Sequence, residues 1–283
     1  MSERTIIGID VGGTTTKIVG FRHKKDGTKE LICPQFIRAA DPMTSAYGAF
    51  GKFTAQNGLE LDDIEMIRMT GAGATHLGKP IYNLNCQSVP EFSSIGIGGL
   101  YLSNLDEAIV VSMGTGTALI HAKKENGKHY IQYLGGTGVG GGTLIGLSRK
   151  MLGVDNVEHI EQLSEGGDLS NIDLRIKDIS HSNHYQSINE NLTAANFGKV
   201  SDLATPGDLA VGIANMVGET VAMLAVFAAR NYGLQNIVLT GNLTTIRPIR
   251  RVFEELGDSF GVRFIIPENA QFGTVIGAAL NEE

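Results

Sequence analysis

The stretch that most constrains this chain is Ile6–Gly20, which reads IIGIDVGGTTTKIVG. An apolar run ends in Asp10, a turn of two glycines and three threonines follows, and Lys17 opens a second apolar run. Glycine permits a tight turn and lets backbone N–H groups approach a phosphate closely. A carboxylate before such a turn suits the Mg²⁺ that accompanies ATP. The stretch therefore predicts two strands joined by a phosphate-binding turn, with an ordinary hairpin turn as the alternative.

Other Gly-rich turns follow apolar runs at Thr70–Gly73, Met113–Thr117, Gly135–Gly142 and Gly241–Asn242. The second of these repeats the opening pattern of strand, Gly/Thr turn and strand, which suggests two related halves. The third opens a helix, where free N–H groups and the helix dipole favour an anion. Turns at strand ends in both halves predict a nucleotide held between two α/β lobes.

Composition narrows the class of protein. The chain has 283 residues and a net charge of −7 without a basic run, so we expect neither nucleic-acid nor acidic-membrane binding. Two cysteines, Cys33 and Cys86, suit a reducing compartment. Neither a signal peptide nor an uncharged apolar stretch of ~20 residues is visible. We expect a soluble cytoplasmic protein with lobes at residues 1–105 and 106–283, and a closing helix, 272–280, that packs back near the lobe boundary.

Two helices are well marked in the sequence. Pro42–Asn57 has Asp41 as a candidate cap and Gly58 just past its end. Pro206–Asn231 is the longest, and it has apolar and small residues on more than one face. This pattern predicts a core helix, with a dimer interface as the alternative. Asn171–Ile176 resembles a strand, and Ser180–Asn191 is a polar insertion whose two histidines, His181 and His184, are a chance pair more often than a metal site.

Phosphoryl transfer needs a metal, phosphate clamps and a group that accepts the proton of the attacking hydroxyl. Asp10, within the first turn, suits the metal. Glu91 precedes a predicted helix in SVPEF and lies outside the Gly-rich turns, which suits a general base. The alternative for Glu91 is a solvated carboxylate favoured by the helix dipole.

Several motifs carry a resemblance over nearly the whole chain. They are GIDVGGTTTKIV, VPEF, GTGT, GVGGGTLIGL, NIDL, LTAANFG and ENAQFG. In this order they resemble the type II pantothenate kinases of the actin-like ATPase superfamily. The resemblance implies a two-lobed, ribonuclease H-like α/β fold with duplicated mixed-sheet domains. It also implies phosphorylation of pantothenate by ATP and Mg²⁺ at the start of coenzyme A synthesis, and a homodimer.

The resemblance also implies roles for individual residues. Glu91 matches the catalytic base, and Asp10 remains the metal candidate. Substrate contacts fall on Tyr133, Ala194, Ala195 and Asn196. Nucleotide contacts fall on the following residues: Gly12, Gly13, Thr14, Thr15, Thr16, Lys17, Ile18, Val19, Thr115, Gly141, Gly142, Thr143, Leu144, Ile145, Val157 and Asn242.

One position departs from the pattern of the resembling kinases. They carry an arginine that contacts pantothenate where this chain has Tyr133, in QYLGG. Tyrosine offers one neutral O–H where arginine offers a charged fork. We therefore expect the acceptor to be pantothenate or a neutral relative such as pantetheine, and weaker binding or a diminished kinase are the alternative consequences of this change. Another small-molecule kinase of the superfamily, a dehydratase-activating ATPase and a non-catalytic nucleotide sensor are the remaining alternatives.

Overall fold

The structure is a computed structural model that describes residues 4–12, 15–37, 41–76, 80–179 and 189–282. The chain divides into two compact units. Unit 1 comprises Met1–Ser112, Ile120–Tyr133 and Pro267–Glu283, and unit 2 comprises Met113–Leu119 and Leu134–Ile266. The predicted lobes, 1–105 and 106–283, stay a prediction.

The first half of the described chain has runs of two or three strands followed by a helix, and strands and helices alternate in the second half. The strands are β1 (Arg4–Val11), β2 (Thr16–His23), β3 (Lys29–Ile37), β4 (Ile64–Thr70), β5 (Cys86–Ser88), β6 (Glu107–Met113), β7 (Thr117–Glu125), β8 (Lys128–Thr137), β9 (Leu174–Arg175), β10 (Thr193–Ala195), β11 (Asn236–Thr240) and β12 (Arg263–Ile265). The α-helices are α1 (Pro42–Asn57), α2 (Glu91–Ser103), α3 (Gly141–Leu152), α4 (Val157–Ser164), α5 (Ile176–Ile179), α6 (Pro206–Asn231), α7 (Arg247–Phe260) and α8 (Gly273–Leu280).

Unit 1 is built on a mixed five-stranded sheet of order β3-β2-β1-β4-β5. β1 pairs antiparallel with β2 and parallel with β4. The apolar runs of the opening stretch form the buried centre of this sheet, where Ile7, Ile9 and Ile18 are fully buried and α1 adds Phe50 and Phe53. The predicted pair of strands around the first turn is therefore confirmed.

Helix α8 joins β1 to α2 within unit 1 through contacts that only glycine allows. A Cβ on Gly8 of β1 would lie 2.5 Å from the carbonyl oxygen of Val275. A Cβ on Gly98 of α2 would overlap the carbonyl oxygen of Gly273, and one on Gly277 would overlap that of Ser94. The two helix backbones touch directly, so their spacing is fixed by backbone atoms.

Unit 2 has α6 as its longest helix, as the sequence predicted. Its N-terminus is a capping box in which Thr205 Oγ1 accepts from the N–H of Asp208 and the Asp208 carboxylate accepts from the N–H of Thr205. The same carboxylate accepts from the N–H of Asp168 at 2.7 Å and from the amide of Asn171 at 3.2 Å. These contacts hold the pKa of Asp208 below its ordinary value, chiefly through the Asp168 N–H.

The helix predicted at Pro42–Asn57 is confirmed with its cap, since Asp41 accepts from the N–H of Thr44 and Gly58 is left-handed. The strand predicted at Asn171–Ile176 is only partly right. Leu174 and Arg175 alone are extended, paired with β10, and a helical turn follows. Asp178 accepts from the N–H of Arg175 at 2.9 Å, which ends the strand early.

Residues 180–188 lie outside the described residues, and they include His181, His184 and most of the polar insertion predicted at Ser180–Asn191. Among the described residues one helix, α6, is long and apolar enough to cross a bilayer. Most of its apolar window, 61%, is buried inside the protein, which is typical of a core helix.

The α2–α8 contact yields a stability prediction. We expect Gly98→Ala to lower the free energy of unfolding by about 3 kcal/mol, because the new methyl group displaces one backbone from the other. Gly48→Ala, in open space on α1, should raise it by about 0.5–1 kcal/mol through lost chain entropy in the unfolded state. Urea unfolding measures both. Equal effects at the two positions would contradict the close helix contact.

Candidate active site

Asp10 lies at the end of β1, opposite Lys17 on β2. Burial raises the pKa of Asp10 to about 6, the Lys17 ammonium opposes this rise, and the Glu91 carboxylate adds to it. Burial also lowers the pKa of Lys17, against the attraction of Asp10. Lys17 Nζ donates to the carbonyl oxygen of Gln271 at 2.6 Å. The Lys17 side chain is therefore held by a backbone carbonyl and starts from the strand position opposite Asp10.

Glu91 is the first residue of α2 and is exposed. The segment before it is tied to the sheet, since the N–H of Val89 donates to the carbonyl oxygen of Met69 at 2.8 Å. Thr70 follows Met69 and is the register partner of Asp10 on the parallel strand. These connections place Glu91 close enough to Asp10 for its charge to raise the pKa of Asp10. The structure thus brings together the two carboxylates that the sequence singled out.

The backbone of Gly71 packs against the Asp10 carboxylate, and the sequence did not predict this contact. Its φ of +88° is a backbone conformation that favours glycine, and a Cβ there would lie 2.5 Å from Asp10 Oδ1. The next glycine, Gly73, packs its Cα against the side chain of Val11. The Thr70–Gly73 turn therefore closes over the end of β1. Its glycine content was the available signal.

An aromatic pair lies next to Glu91. Phe92 and Tyr133 stack face to face, with ring centroids 4.1 Å apart and planes 6° from parallel. Their exposures are 41% and 48%, so the stack presents a flat apolar surface to solvent beside the carboxylate. Tyr133 is therefore held against the first turn of α2 within unit 1.

Unit 2 contains three of the predicted Gly-rich turns, and they pack on one another. The N–H groups of Gly141 and Gly142 donate to the carbonyl oxygens of Gly114 and Thr115, at 2.9 and 2.8 Å. A Cβ on Gly140 would lie 2.8 Å from the oxygen of Thr115, and one on Gly241 would overlap that of Met113. The glycines are needed for this close packing.

The start of α3 corrects one expectation. The sequence predicted free N–H groups there, but those of Gly141 and Gly142 are already bound to the neighbouring turn. Thr143 Oγ1 also bonds to the preceding loop, because it donates to the carbonyl oxygen of Gly138 at 3.1 Å. Thr115 and Gly142 remain exposed on the surface of these turns.

The remaining predicted nucleotide residues fall into distinct environments. Gly12 closes its turn by donating its N–H to Thr15 at 3.0 Å, whereas Gly13 and Thr14 lie outside the described residues. The hydroxyl of Thr16 is buried against Ser45. Fully buried side chains are those of Ile18, Val19 and Leu144. Partly buried ones are Ile145 and Val157, and Asn242 is exposed.

The predicted substrate loop lies in unit 2. Ala194 and Ala195 belong to β10, where Ala194 is exposed. The amide Nδ2 of Asn196 donates to Glu219 Oε2 on α6 at 2.7 Å. Asn196 is therefore anchored to the helix through one end of its amide.

The fold and these sites can be set beside known proteins. The sequence profile of the Fumble family matches residues 103–256, which is more than half of the chain. The chain belongs to the Fumble family. It is 27% identical to the type II pantothenate kinase of Oceanobacillus iheyensis, over 97% of this chain and 98% of that protein. It is also 27% identical to the type II pantothenate kinase of Staphylococcus aureus, over 98% and 99%. The resemblance stated from the motifs is therefore confirmed.

Solved structures confirm the predicted fold class for this Fumble family member. The activator of 2-hydroxyisocaproyl-CoA dehydratase from Clostridium difficile, with bound ADPNP, aligns at a TM-score of 0.66. It covers 98% of this chain and 93% of its own at 19% identity. Component A of the (R)-2-hydroxyglutaryl-CoA dehydratase of Acidaminococcus fermentans aligns at 0.64, with 20% identity and coverage of 98% and 96%. At these identities the likeness shows the fold alone.

The contact between Gly71 and Asp10 can be tested by a double-mutant cycle. We expect Gly71→Ala to destabilise the protein by roughly 2–3 kcal/mol, from backbone strain and from displacement of the carboxylate. Asp10→Ala should relieve part of this cost, with a coupling of about 1 kcal/mol measured by urea unfolding.

Gly27→Ala is the matched control, because Gly27 has a φ of +84° in open space. It should cost only the backbone strain and show no coupling to Asp10→Ala. Additive effects of Gly71→Ala and Asp10→Ala would contradict the proposed support of Asp10.

Proposed function

We propose that this protein transfers the γ-phosphoryl group of ATP to the hydroxyl of pantothenate, which yields 4′-phosphopantothenate at the first step of coenzyme A biosynthesis. The observation that carries the proposal is the full-length match to type II pantothenate kinases, combined with the closeness of the Glu91 carboxylate to Asp10, whose pKa it raises. In the proposed step the acceptor oxygen forms a bond to the γ-phosphorus. The bond from that phosphorus to the β,γ-bridging oxygen breaks, ADP leaves, and the acceptor proton passes to Glu91.

The proposed roles follow from the environment of each residue. Glu91 is exposed at the start of a helix, so an acceptor hydroxyl can reach its carboxylate. Lys17 is a cation fixed beside Asp10, suited to phosphate charge. Together with Lys17, the residues assigned to nucleotide contacts by the resemblance remain the proposed nucleotide site.

Asp10 fits a magnesium ion that is shared with a nucleotide. Among the described residues there is no group of three or more His, Cys, Asp or Glu side chains that could hold a metal by itself. Mg²⁺ is commonly bound by one or two carboxylates together with substrate phosphates, and the Asp10 carboxylate near the end of β1 matches that pattern. When bound, the ion would neutralise charge on the β- and γ-phosphates.

The other classes of protein are less well supported. The zinc-binding sugar kinases carry a Cys/His cluster, and the two cysteines here lie on β3 and β5, the opposite edges of the unit 1 sheet. The same separation argues against an iron–sulfur ATPase that activates a dehydratase. A nucleotide sensor without catalysis would not need Glu91.

We also propose a cytoplasmic homodimer. The support is the resemblance to homodimeric kinases and an apolar surface on α6, where Leu224 and Phe227 are 37% and 57% exposed. Exposed aromatic and aliphatic side chains on a mostly buried helix are typical of an interface.

Replacement of Glu91 by Gln separates an enzyme from a sensor. We expect kcat to fall by roughly 10²–10⁴-fold because the base is lost, while the affinity for ATP is unchanged. Glu158→Gln is the control, because Glu158 is also an exposed carboxylate in the first turn of a helix, α4. It should leave kcat unchanged. If both variants behave alike, Glu91 is only a solvated helix-end carboxylate.

The stack of Tyr133 on Phe92 favours a second candidate, a neutral acceptor such as pantetheine. Tyr133 has no positive charge to attract the carboxylate of pantothenate. The flat surface of its ring suits contact with an uncharged acceptor molecule. We expect Tyr133→Arg to raise the ratio of kcat/KM for pantothenate to that for pantetheine by about tenfold or more, the gain of one charge-assisted contact.

Tyr133→Phe keeps the stack and removes only the hydroxyl, so the ratio should stay within about twofold of the original. The assay is ADP release on the two acceptors. An unchanged ratio in Tyr133→Arg would show that this position does not face the acceptor's carboxylate end, and no turnover on either acceptor would refute the kinase proposal.

A further inference from the structure

Two acidic residues of unit 2 lie beside the Leu192–Gly198 segment and take no part in the proposed chemistry. Asp173 is fully buried. Glu219 is partly buried in α6, and burial raises the pKa of its carboxyl group, against hydrogen bonds from Thr193 and Asn196. Burial of acidic side chains is costly unless hydrogen bonds compensate it. Both carboxylates are held by amides and hydroxyls of one loop and one helix.

Asp173 fixes the far end of this loop. Its Oδ1 accepts from the backbone N–H of Phe197 at 2.8 Å, and its Oδ2 accepts from Asn215 Nδ2 at 2.8 Å. Phe197 has a φ of +58°, an unfavourable conformation for an aromatic residue. Such strain persists when surrounding contacts enforce it, and it is common at ligand-binding sites. The Asp173 contact supplies that enforcement.

Helix α6 holds the part of the loop that precedes Phe197. Glu219 Oε2 accepts from Asn196 Nδ2 at 2.7 Å, and the Glu219 carboxylate also bonds the side chains of Thr193 and Asn215. Asn215 Nδ2 lies 3.4 Å from Thr193 Oγ1. Asn215 and Glu219 are four residues apart, so they share one face of the helix. The helix thus holds Thr193 and Asn196 directly, and it holds Phe197 through the bond from Asn215 to Asp173.

The network is open to a ligand and is not sealed in the core. A cavity of ≈ 300 Å³ lies against it. Its polar lining includes Thr193, Asn196 and Glu219, and its apolar lining includes Met223 and Phe260. The strained loop therefore borders a space large enough for part of a small molecule.

We propose that Asp173, Asn215 and Glu219 are positioning residues that hold the Thr193–Phe197 loop in the conformation that meets the acceptor molecule. This inference rests on the proposed function, because the resemblance assigns Ala194–Asn196 to the acceptor. It also defines the chemistry of recognition. Asn196 Nδ2 gives one of its two hydrogens to Glu219, so the amide still offers one N–H and the oxygen Oδ1. The matching group on the acceptor molecule is one that donates to this oxygen or accepts from this N–H, as an amide or a hydroxyl does.

Two variants of Glu219 and one control test the proposal. Glu219→Ala removes the anchor of Asn196, so we expect the KM for pantothenate or pantetheine to rise roughly tenfold or more, with the KM for ATP unchanged. Glu219→Gln keeps an oxygen that accepts from Asn196, so its KM should lie between those of Glu219→Ala and the unaltered protein. Asp208→Asn is the control, because it weakens the capping box at the N-terminus of α6, whose hydrogen bonds do not involve the loop. It should lower stability and leave the acceptor KM unchanged.

Hydrogen exchange of the amides in 192–198 is the second readout, and it needs no turnover. We expect faster exchange in Glu219→Ala and not in Asp208→Asn. If the unaltered protein turns over an acceptor and Glu219→Ala keeps the original acceptor KM, the inference is overturned while the proposed function stands. If Asp208→Asn raises the acceptor KM as much as Glu219→Ala, general destabilisation explains the effect and the inference is overturned. If the unaltered protein shows no turnover with any acceptor, the proposed function fails, and the acceptor role of the loop fails with it.

Discussion

The chemistry of unit 1 depends on the backbone contact between α8 and its two neighbours. Gly8 of β1 lets the strand approach Val275 and Ala279 of α8, and Gly98 and Gly277 let the two helices touch. Asp10 lies two residues beyond Gly8, and Glu91 begins the helix that carries Gly98. Helix α8 lies between β1, which carries Asp10, and α2, which carries Glu91, so it sets the separation of the two carboxylates. Its contacts with both elements are made by backbone atoms, which cannot relax by changing rotamers.

Other contacts of α8 strengthen this arrangement. Arg68 on β4 donates to the carbonyl oxygen of Ala279 at 2.8 Å, and Lys17 donates to Gln271 just before the helix. The last elements of the chain thus complete a site whose reactive groups come from its first hundred residues. In unit 2, α6 has a comparable role, because it supplies a capped N-terminus and the amide and carboxylate that hold the 193–197 loop. In both units one helix therefore holds a loop of the proposed site in a fixed position.

The sequence predicted the local features well, because they depend on residues close together in the chain. Asp10, the turn and Lys17 lie on two adjacent strands, and the cap of α1 spans four residues. The family and fold class followed from ordered motifs. What could not be predicted depends on contacts between distant segments. Two examples are the contact of Gly71 with Asp10 and the contact of Gly98 with Gly273. The sequence around a glycine does not show which distant segment packs against it. The expectation of free N–H groups at Gly141 and Gly142 was wrong for the same reason. The turn that accepts their hydrogen bonds lies about thirty residues earlier in the chain.

The central claim is that this protein moves a phosphoryl group to a hydroxyl acceptor. The most direct measurement is ³¹P NMR of the purified protein with ATP, Mg²⁺ and either pantothenate or pantetheine. The account predicts a new phosphomonoester signal that grows in equal amount with ADP, and that is absent when the acceptor is left out. Release of ADP with inorganic phosphate as the sole other product, at the same rate with and without acceptor, would contradict it.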